Sequence, residues 1–191
     1  MKSLYDWCMR LMRGPYAVWT LYGIAFIESS FFPIPPDLFL IPLILARRTQ
    51  AFRIALGATI ASILGGLFGY GIGMFLYDSV GVHILNVYNY TAQFEKFCGY
   101  YNAYGAWIVF AGGITPFPYK IITIASGVTQ LDLATFILAS IPARGLRFLL
   151  IAWLLWKWGE PMKAWIEKNL GWLSVAFFIL LIGGFLALKW L

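Results

Sequence analysis

FPIPPD at residues 32–37 and TPFPYK at residues 115–120 interrupt two apolar stretches with the same pattern, a Pro-x-Pro followed by a charged residue. Superimposing the two motifs places Asp37 opposite Lys120. Each proline removes a backbone donor and clashes with the preceding turn, so neither stretch is predicted to form a straight helix. Broken helices in corresponding positions of two halves of an apolar chain indicate a transport site between them.

The composition is that of an integral membrane protein. Of the 191 residues, 61% are hydrophobic and 12% are charged, and the mean hydropathy is +0.78. A soluble domain of this length cannot bury so much apolar surface. The chain carries a net charge of +6, but its basic residues flank apolar segments and form no continuous stripe, which argues against nucleic-acid binding.

The order of predicted elements repeats once. The first unit is an amphipathic segment, a proline-broken apolar segment and a spanning segment, at residues 3–13, 16–46 and 52–77. The second unit has the same three segments at residues 83–99, 105–129 and 132–156. Both spanning segments are long enough to cross about 30 Å of hydrocarbon. We therefore predict a domain over 1–160, with repeats at 1–78 and 79–158, followed over 159–191 by a polar link and a further spanning helix at 171–190.

The basic residues favour an inverted repeat. If each broken segment is a re-entrant hairpin, each unit crosses the bilayer once and the second unit is upside down. With a cytoplasmic N terminus, the outer face then holds only Lys96 and Lys189, as the preference for positive charge inside requires. The inner face holds Lys2, Arg10, Arg13, Arg47, Arg48, Arg53, Lys157, Lys163 and Lys168. If each broken segment crossed the membrane completely, the basic residues would be divided less unequally between the two faces.

Five charged side chains lie beside the predicted hairpin tips or midway along the second spanning segment, namely Glu28, Asp37, Lys120, Arg144 and Arg147. A charge at the bilayer centre costs roughly 2.5 to 3.5 kcal/mol, so these residues are expected to be paired or hydrated. The cations suit a lipid phosphate, which arginine binds through two parallel hydrogen bonds. The acids suit proton uptake in one conformation and release in the other. The predicted hairpin tips are Pro33, Pro35, Pro36, Thr115, Pro116 and Pro118.

Each of these interpretations has an alternative. Glu28 and Asp37 can form structural ion pairs with the two arginines, and Asp37 can cap the helix that follows its prolines. Arg144 and Arg147 can extend to the membrane surface if their helix starts later. A group of five glycines in the first spanning segment indicates close helix packing, at Gly65, Gly66, Gly69, Gly71 and Gly73.

Two stretches are distinctive, namely Glu28 with FFPIPPD in the first hairpin and GGITPFPYK in the second. Through them, residues 1–160 resemble the DedA family, also described as the SNARE-associated Golgi or VTT family. This resemblance implies movement of phospholipids or undecaprenyl phosphate across the membrane, in some members driven by the proton motive force. It also implies that Glu28 and Asp37 are the family's required acidic pair. The family's second hairpin often reads R-F-x-P-x-x-R, whereas this chain has Gly113 and Tyr119 at the two arginine positions. The departure indicates a divergent subfamily.

We therefore expect an all-α inverted-repeat protein of the bacterial cytoplasmic membrane, a flippase or scramblase for a lipid with an anionic phosphate headgroup. Proton coupling and a homodimer are left open. The alternatives are a coupled transporter of a small soluble solute, an intramembrane lipid-modifying enzyme and a membrane scaffold. No catalytic group, cofactor or metal is predicted, because Glu28 beside Ser29 has no nearby histidine as base and His83 is expected at an interface. Cys8 and Cys98 are predicted on opposite sides of the membrane.

Overall fold

The computed structural model describes residues 14, 16–31, 35–83, 85, 91–115, 117–159 and 161 of the chain. Seven α-helices cover most of these residues. They are α1 (Ala17–Ser30), α2 (Asp37–Ala46), α3 (Ala51–Leu76), α4 (Thr91–Ala103), α5 (Gly105–Ile114), α6 (Tyr119–Val128) and α7 (Leu133–Trp158). The described part contains no strand. The predicted segments 3–13 and 171–190, most of the link, and the tip residues Pro33 and Pro116 lie outside this description.

Two long apolar helices form the centre of the fold. The helical segment Arg48–Ser79, which contains α3, has 32 residues, and Leu133–Trp158 has 26, so each is long enough to cross a membrane. Their boundaries agree with the predicted spans 52–77 and 132–156. They run antiparallel, because Arg48 at the start of α3 donates a hydrogen bond to the Trp156 carbonyl near the end of α7 at 2.5 Å.

The first hairpin, α1 and α2, lies against the first half of α3. The Tyr22 hydroxyl donates to the Arg53 carbonyl at 3.5 Å, and the Ser30 hydroxyl donates to the Gly65 carbonyl at 3.0 Å. These two contacts place α1 parallel to α3. The turn after α1 sends α2 back to the end where α3 starts. Proline divides residues 16–46 into two short helices, as the sequence predicts.

The second hairpin, α5 and α6, approaches from the opposite end of the α3–α7 pair. A Cβ on Gly105 would lie 2.3 Å from the Leu131 side chain, and one on Gly113 would lie 2.7 Å from the Ala143 Cβ, so α5 follows α7 from its start to its middle. The α6 helix then returns along the second half of α3, where a Cβ on Gly127 would lie 2.0 Å from the Tyr70 carbonyl. The two hairpin tips therefore lie near the middle of the long helices.

Close packing of the hairpins depends on glycine in α3. A Cβ on Gly65 would lie 2.1 Å from the Phe26 carbonyl, and one on Gly73 would lie 2.1 Å from the Ile124 carbonyl. Gly66 and Gly69 also face neighbouring helices, as predicted, but the prediction is wrong for Gly71, which has nothing within 4 Å of its Cβ position.

The second amphipathic segment lies against the end of α6. Its helix α4 ends at Ala103, beyond the predicted limit at residue 99. The Tyr101 hydroxyl is 3.0 Å from the Ser126 hydroxyl, and the Asn102 amide donates to the Thr129 carbonyl at 2.9 Å. These bonds fix α4 at the end of the bundle where α7 begins. His83 is exposed near this end.

Candidate functional site

Four of the five predicted membrane charges meet where the hairpin tips contact the middle of α7. Arg144 pairs with Glu28 at 3.1 Å, and Arg147 pairs with Asp37. The arginines are three residues apart on α7 and therefore lie on neighbouring positions of the same helix face. Glu28 comes from the end of α1, and Asp37 is the first residue of α2, so the two acids flank the tip of the first hairpin.

The inner ion pair is enclosed by protein. Arg144 is only 2% exposed and Glu28 13%. The Nε of Arg144 donates to the Ser62 hydroxyl at 2.7 Å, and one Nη donates to Glu28 Oε2 at 3.1 Å. Its guanidinium carbon lies 4.8 Å from the ring centroids of both Tyr119 and Phe148. Hydrogen bonds in the guanidinium plane and aromatic rings beside it hold this side chain in one orientation.

A pair of buried serines links the inner ion pair to the hairpins. The Ser29 and Ser62 hydroxyls are 2.7 Å apart, and Ser29 also donates to Glu28 at 3.3 Å. The Thr123 hydroxyl of α6 donates to the Ser29 carbonyl at 3.0 Å, which joins the two hairpins directly. Sequence reasoning missed these hydroxyls as site residues. Ser29 follows Glu28 in the chain, but no sequence signal places Ser62 beside it.

The outer ion pair is more open and its hydrogen bonds are incomplete. Arg147 is 18% exposed and Asp37 23%. One Nη of Arg147 bonds to Asp37, and the other donates to the Thr115 carbonyl at 2.5 Å, so a single guanidinium holds both hairpin tips. Within the described residues, Asp37 Oδ1 and Arg147 Nε are buried without a hydrogen-bond partner. A buried donor and a buried acceptor without partners are costly, so the outer pair is less completely hydrogen-bonded than the inner one.

The geometry excludes two of the alternative interpretations. Pro36, not Asp37, precedes the first turn of α2, and no side chain caps that helix. The Asp37 carboxylate instead faces Arg147, so the capping interpretation is wrong. Arg144 is buried near the middle of α7 and does not extend to the membrane surface. The structural ion-pair interpretation is compatible with the geometry, and a functional measurement distinguishes it from a transport role.

Lys120 lies at the second hairpin tip but does not join the ion pairs. It is the second residue of α6 and is partly buried. Its carbonyl accepts a hydrogen bond from Thr123 at 2.9 Å, and its ammonium has no carboxylate partner in the described part of the chain. The cation is therefore close in sequence to the site, without a defined contact in it.

Gly113 and Tyr119, where the resemblance implies arginine, both border Arg144. A Cβ on Gly113 would lie 3.6 Å from Arg144 Cδ, and the ring of Tyr119 contacts the guanidinium. The Tyr119 hydroxyl is in turn 2.5 Å from the Ser140 hydroxyl. The Arg144 side chain from α7 thus lies beside both of these positions of the second hairpin, and the small Gly113 leaves room for Ala143 of the same helix, whose Cβ would lie 2.7 Å from a Cβ there.

The fold and this site define an all-helical protein with two long apolar helices and two broken hairpins that meet at largely buried ion pairs. A family model for the VTT domain matches residues 34–157, which include both long helices and the entire second hairpin. The chain belongs to this family, the DedA or SNARE-associated family. The family is membrane-associated, and a transport role is assigned to it.

Two bacterial relatives match nearly the whole chain. An uncharacterized protein of Haemophilus influenzae is 36% identical over 186 residues, which cover 93% of this chain and 96% of that protein. An uncharacterized protein of Histophilus somni is 34% identical over 187 residues, which cover 98% of this chain and 97% of that protein. No solved structure matches the chain.

Proposed function

We propose that this protein moves a phosphate-bearing lipid from one leaflet of the membrane to the other without altering it chemically. The observation that carries the proposal is the outer ion pair, in which one arginine holds both hairpin tips while a donor and an acceptor have no partner among the described residues. Membership of a transport family and two helices long enough to span agree with it. Transport of a soluble solute and lipid modification are the alternatives that the test must separate.

The Arg147 guanidinium is the proposed phosphate ligand. Arginine binds phosphate oxygens through two parallel hydrogen bonds, the same geometry with which it binds a carboxylate. A lipid phosphate can therefore take the places of the Asp37 carboxylate and the Thr115 carbonyl, and Arg147 Nε offers a further donor. Exchange of partners avoids leaving the arginine unpaired at membrane depth, which would be costly.

Release of the hairpin tips couples phosphate binding to movement. Arg147 is the hydrogen-bonded link between α7 and both tips, so phosphate binding there frees Asp37 on one hairpin and Thr115 on the other. We propose that both hairpins are re-entrant, that they belong to inverted repeats and that the N terminus is cytoplasmic. Opening of the two hairpins would then expose the site to opposite leaflets in turn.

The inner ion pair has a different proposed role, as the fixed part of the site. Arg144 donates to Ser62 and Glu28, is only 2% exposed and has aromatic rings beside it, so it is held more firmly than Arg147, which is 18% exposed. Its positive charge attracts the passing phosphate without release of its partners. If Asp37 loses Arg147 to the substrate, its carboxylate can take up a proton, which provides a route to proton coupling.

The test is leaflet exchange of fluorescent phospholipids in proteoliposomes, measured with and without a proton gradient. A second arm uses a labelled polyprenyl phosphate. Arg147→Gln should slow exchange about tenfold or more, because it removes charge-assisted hydrogen bonds worth roughly 1.5 to 3 kcal/mol. The matched control is Lys96→Gln, which neutralises an exposed cation of α4 and should leave exchange unchanged. Analysis of the recovered lipid distinguishes transport from chemical modification.

A double variant separates transport from a structural role. Asp37→Asn with Arg147→Gln removes both charges of the outer pair, so no lone charge remains to destabilise the fold. A folded double variant with slow exchange supports the proposal. Exchange at the native rate in this folded variant would refute it, and the ion pair would then be structural. A gradient effect that Asp37→Asn removes would identify Asp37 as the proton carrier.

A further inference from the structure

A group of cations lies outside the ion-pair site, at the end of the bundle where α3 begins and α7 ends. It consists of Arg47, Arg48, Arg53 and Lys157, which we call the basic end cluster. Arg47 and Arg48 follow α2, Arg53 lies in the first turn of α3, and Lys157 lies in the last turn of α7. The proposed transport mechanism uses none of these four side chains.

Direct contacts hold the two sides of this cluster together. Arg48 donates to the Trp156 carbonyl at 2.5 Å, and its guanidinium lies beside Gly159, where a Cβ would approach it to 2.7 Å. The rings of Phe52 and Trp156 are 5.8 Å apart. The arginine-bearing start of α3 and the lysine-bearing end of α7 are therefore one continuous surface.

The cluster carries positive charge without an acidic partner in the described part of the chain. The two ion pairs found there involve other residues. Of the described carboxylates, Asp78, Glu95 and Asp132 lie toward the other end of the bundle. Glu160, which follows α7, lies outside the described residues. Even if it counts fully against the four cations, a net charge of +3 remains, since four minus one is three.

Exposed aromatic rings are interleaved with these cations. Trp156 is 49% exposed and Phe52 44%. The Lys157 ammonium lies 5.2 Å from the ring centroid of Trp153 and 4.9 Å from that of Trp158. Tryptophan at the end of an apolar helix is typical of the level of lipid headgroups. The aromatic surface therefore fits the region beneath a headgroup, whereas a free phosphate ion would use only the cations.

We propose that the basic end cluster binds the phosphate headgroups of anionic lipids, as a resident lipid site separate from the transport site. The cations pair with the headgroup phosphate, and the neighbouring rings contact the glycerol and the upper part of the acyl chains. Within the described part of the chain, Arg48 has four N–H donors left after its bond to Trp156, and guanidinium groups bind phosphate through paired donors. The lipid bound there stabilises the junction of α3 and α7.

Native mass spectrometry of the purified full chain can count retained phosphatidylglycerol and phosphatidylcholine molecules. The test variant is the triple change Arg47→Gln, Arg53→Gln and Lys157→Gln, which keeps Arg48 on the Trp156 carbonyl. Each cation near an anionic surface contributes a factor of about five in binding, so the preference for phosphatidylglycerol should fall more than tenfold. Lys96→Gln, at the opposite end of the bundle, should leave the preference unchanged.

Two further arms make the outcome decisive. A variant with Arg47→Lys and Arg53→Lys keeps every charge and should retain the lipid, and the thermal unfolding of the triple variant is measured to show that it is folded. Inorganic phosphate in large excess should not displace the lipid; displacement would show a plain anion site and overturn the proposal. Unchanged retention in the triple variant would also overturn it. The readout needs no transport, so its result and that of the leaflet-exchange test are independent.

Discussion

Removal of the Glu28 charge alone should destabilise the protein strongly, because it leaves Arg144 charged and buried. Arg144 is 2% exposed, and its Nη lies 3.1 Å from the carboxylate. Two unit charges this close attract by about 5 kcal/mol at an effective dielectric constant of about 20. Glutamine keeps an acceptor for the arginine but not the charge. We therefore expect Glu28→Gln to lower the free energy of unfolding by about 3 kcal/mol, at the lower end of what broken buried pairs cost.

A double-mutant cycle isolates this pairing energy. Unfolding in mixed micelles is measured for Glu28→Gln, for Arg144→Met and for the combined variant. The combined loss should be smaller than the sum of the two single losses by about 2 kcal/mol, because neither charge is left alone. The outer pair is the matched comparison, with Asp37→Asn and Arg147→Gln as the single variants. These residues are 23% and 18% exposed, so the coupling energy between them should be smaller, about 1 kcal/mol.

Additive losses at the inner pair would refute this reasoning. So would a cost of less than about 1 kcal/mol for Glu28→Gln, since water would then have to reach Arg144 and replace its partner. A coupling larger at the outer pair than at the inner pair would reverse the assigned roles. Arg144 would then be the arginine that exchanges partners, and Arg147 would be the fixed one.

Four further substitutions test helix packing, a buried hydrogen bond and a helix cap. Gly65→Ala should prevent native packing of the first hairpin, because the new Cβ would lie 2.1 Å from the Phe26 carbonyl. Gly71→Ala adds a Cβ in open space and should be neutral or stabilise the protein by up to about 1 kcal/mol. Thermal unfolding of the two variants distinguishes these outcomes. Tyr70→Phe removes a 2.7 Å hydrogen bond to a backbone carbonyl and should cost roughly 1 to 3 kcal/mol in the same assay. Asp132 accepts hydrogen bonds from the first turn of α7, mainly from the amide three residues later, which lowers its pKa below 3.8 in the folded protein. The stabilisation of α7 by the ionised Asp132 should therefore be complete above pH 3.8 and decline as the pH falls through the lower pKa of the folded protein. Hydrogen exchange of the α7 amides measures this pH dependence, and Asp132→Asn should remove it.

The sequence was sufficient to predict which apolar segments break and that charges within them need partners. Prolines set the division of the two broken segments, since a missing donor and a ring clash act locally whatever the fold. Charges in apolar segments must find partners, so grouping Glu28 and Asp37 with the two arginines required no knowledge of helix packing. The specific pairs, Glu28 with Arg144 and Asp37 with Arg147, depend on how α1 and α2 lie against α7.

The rest of the site depends on contacts between distant parts of the chain. Ser62 is one of several small residues in α3, and only the position of α7 makes it the acceptor for Arg144. The Thr115 carbonyl has no side-chain signature at all, because any residue at that turn would supply one. At Gly71 the sequence predicted a contact that the fold does not make. The residue belongs to the same glycine group as its neighbours, but its Cβ position faces open space.

The charges at the hairpin tips also bear on which headgroup fits. The two ion pairs cancel, so Lys120 is the cation of this set without a carboxylate partner in the described residues. A phosphodiester contributes one negative charge and would make the occupied site neutral. A terminal phosphate carries about −1.5 to −2 near neutral pH and would leave a net negative charge at membrane depth unless a proton accompanied it. This arrangement of charges therefore favours leaflet exchange of a phosphodiester lipid that does not depend on the proton gradient. Exchange of a polyprenyl phosphate should depend on it.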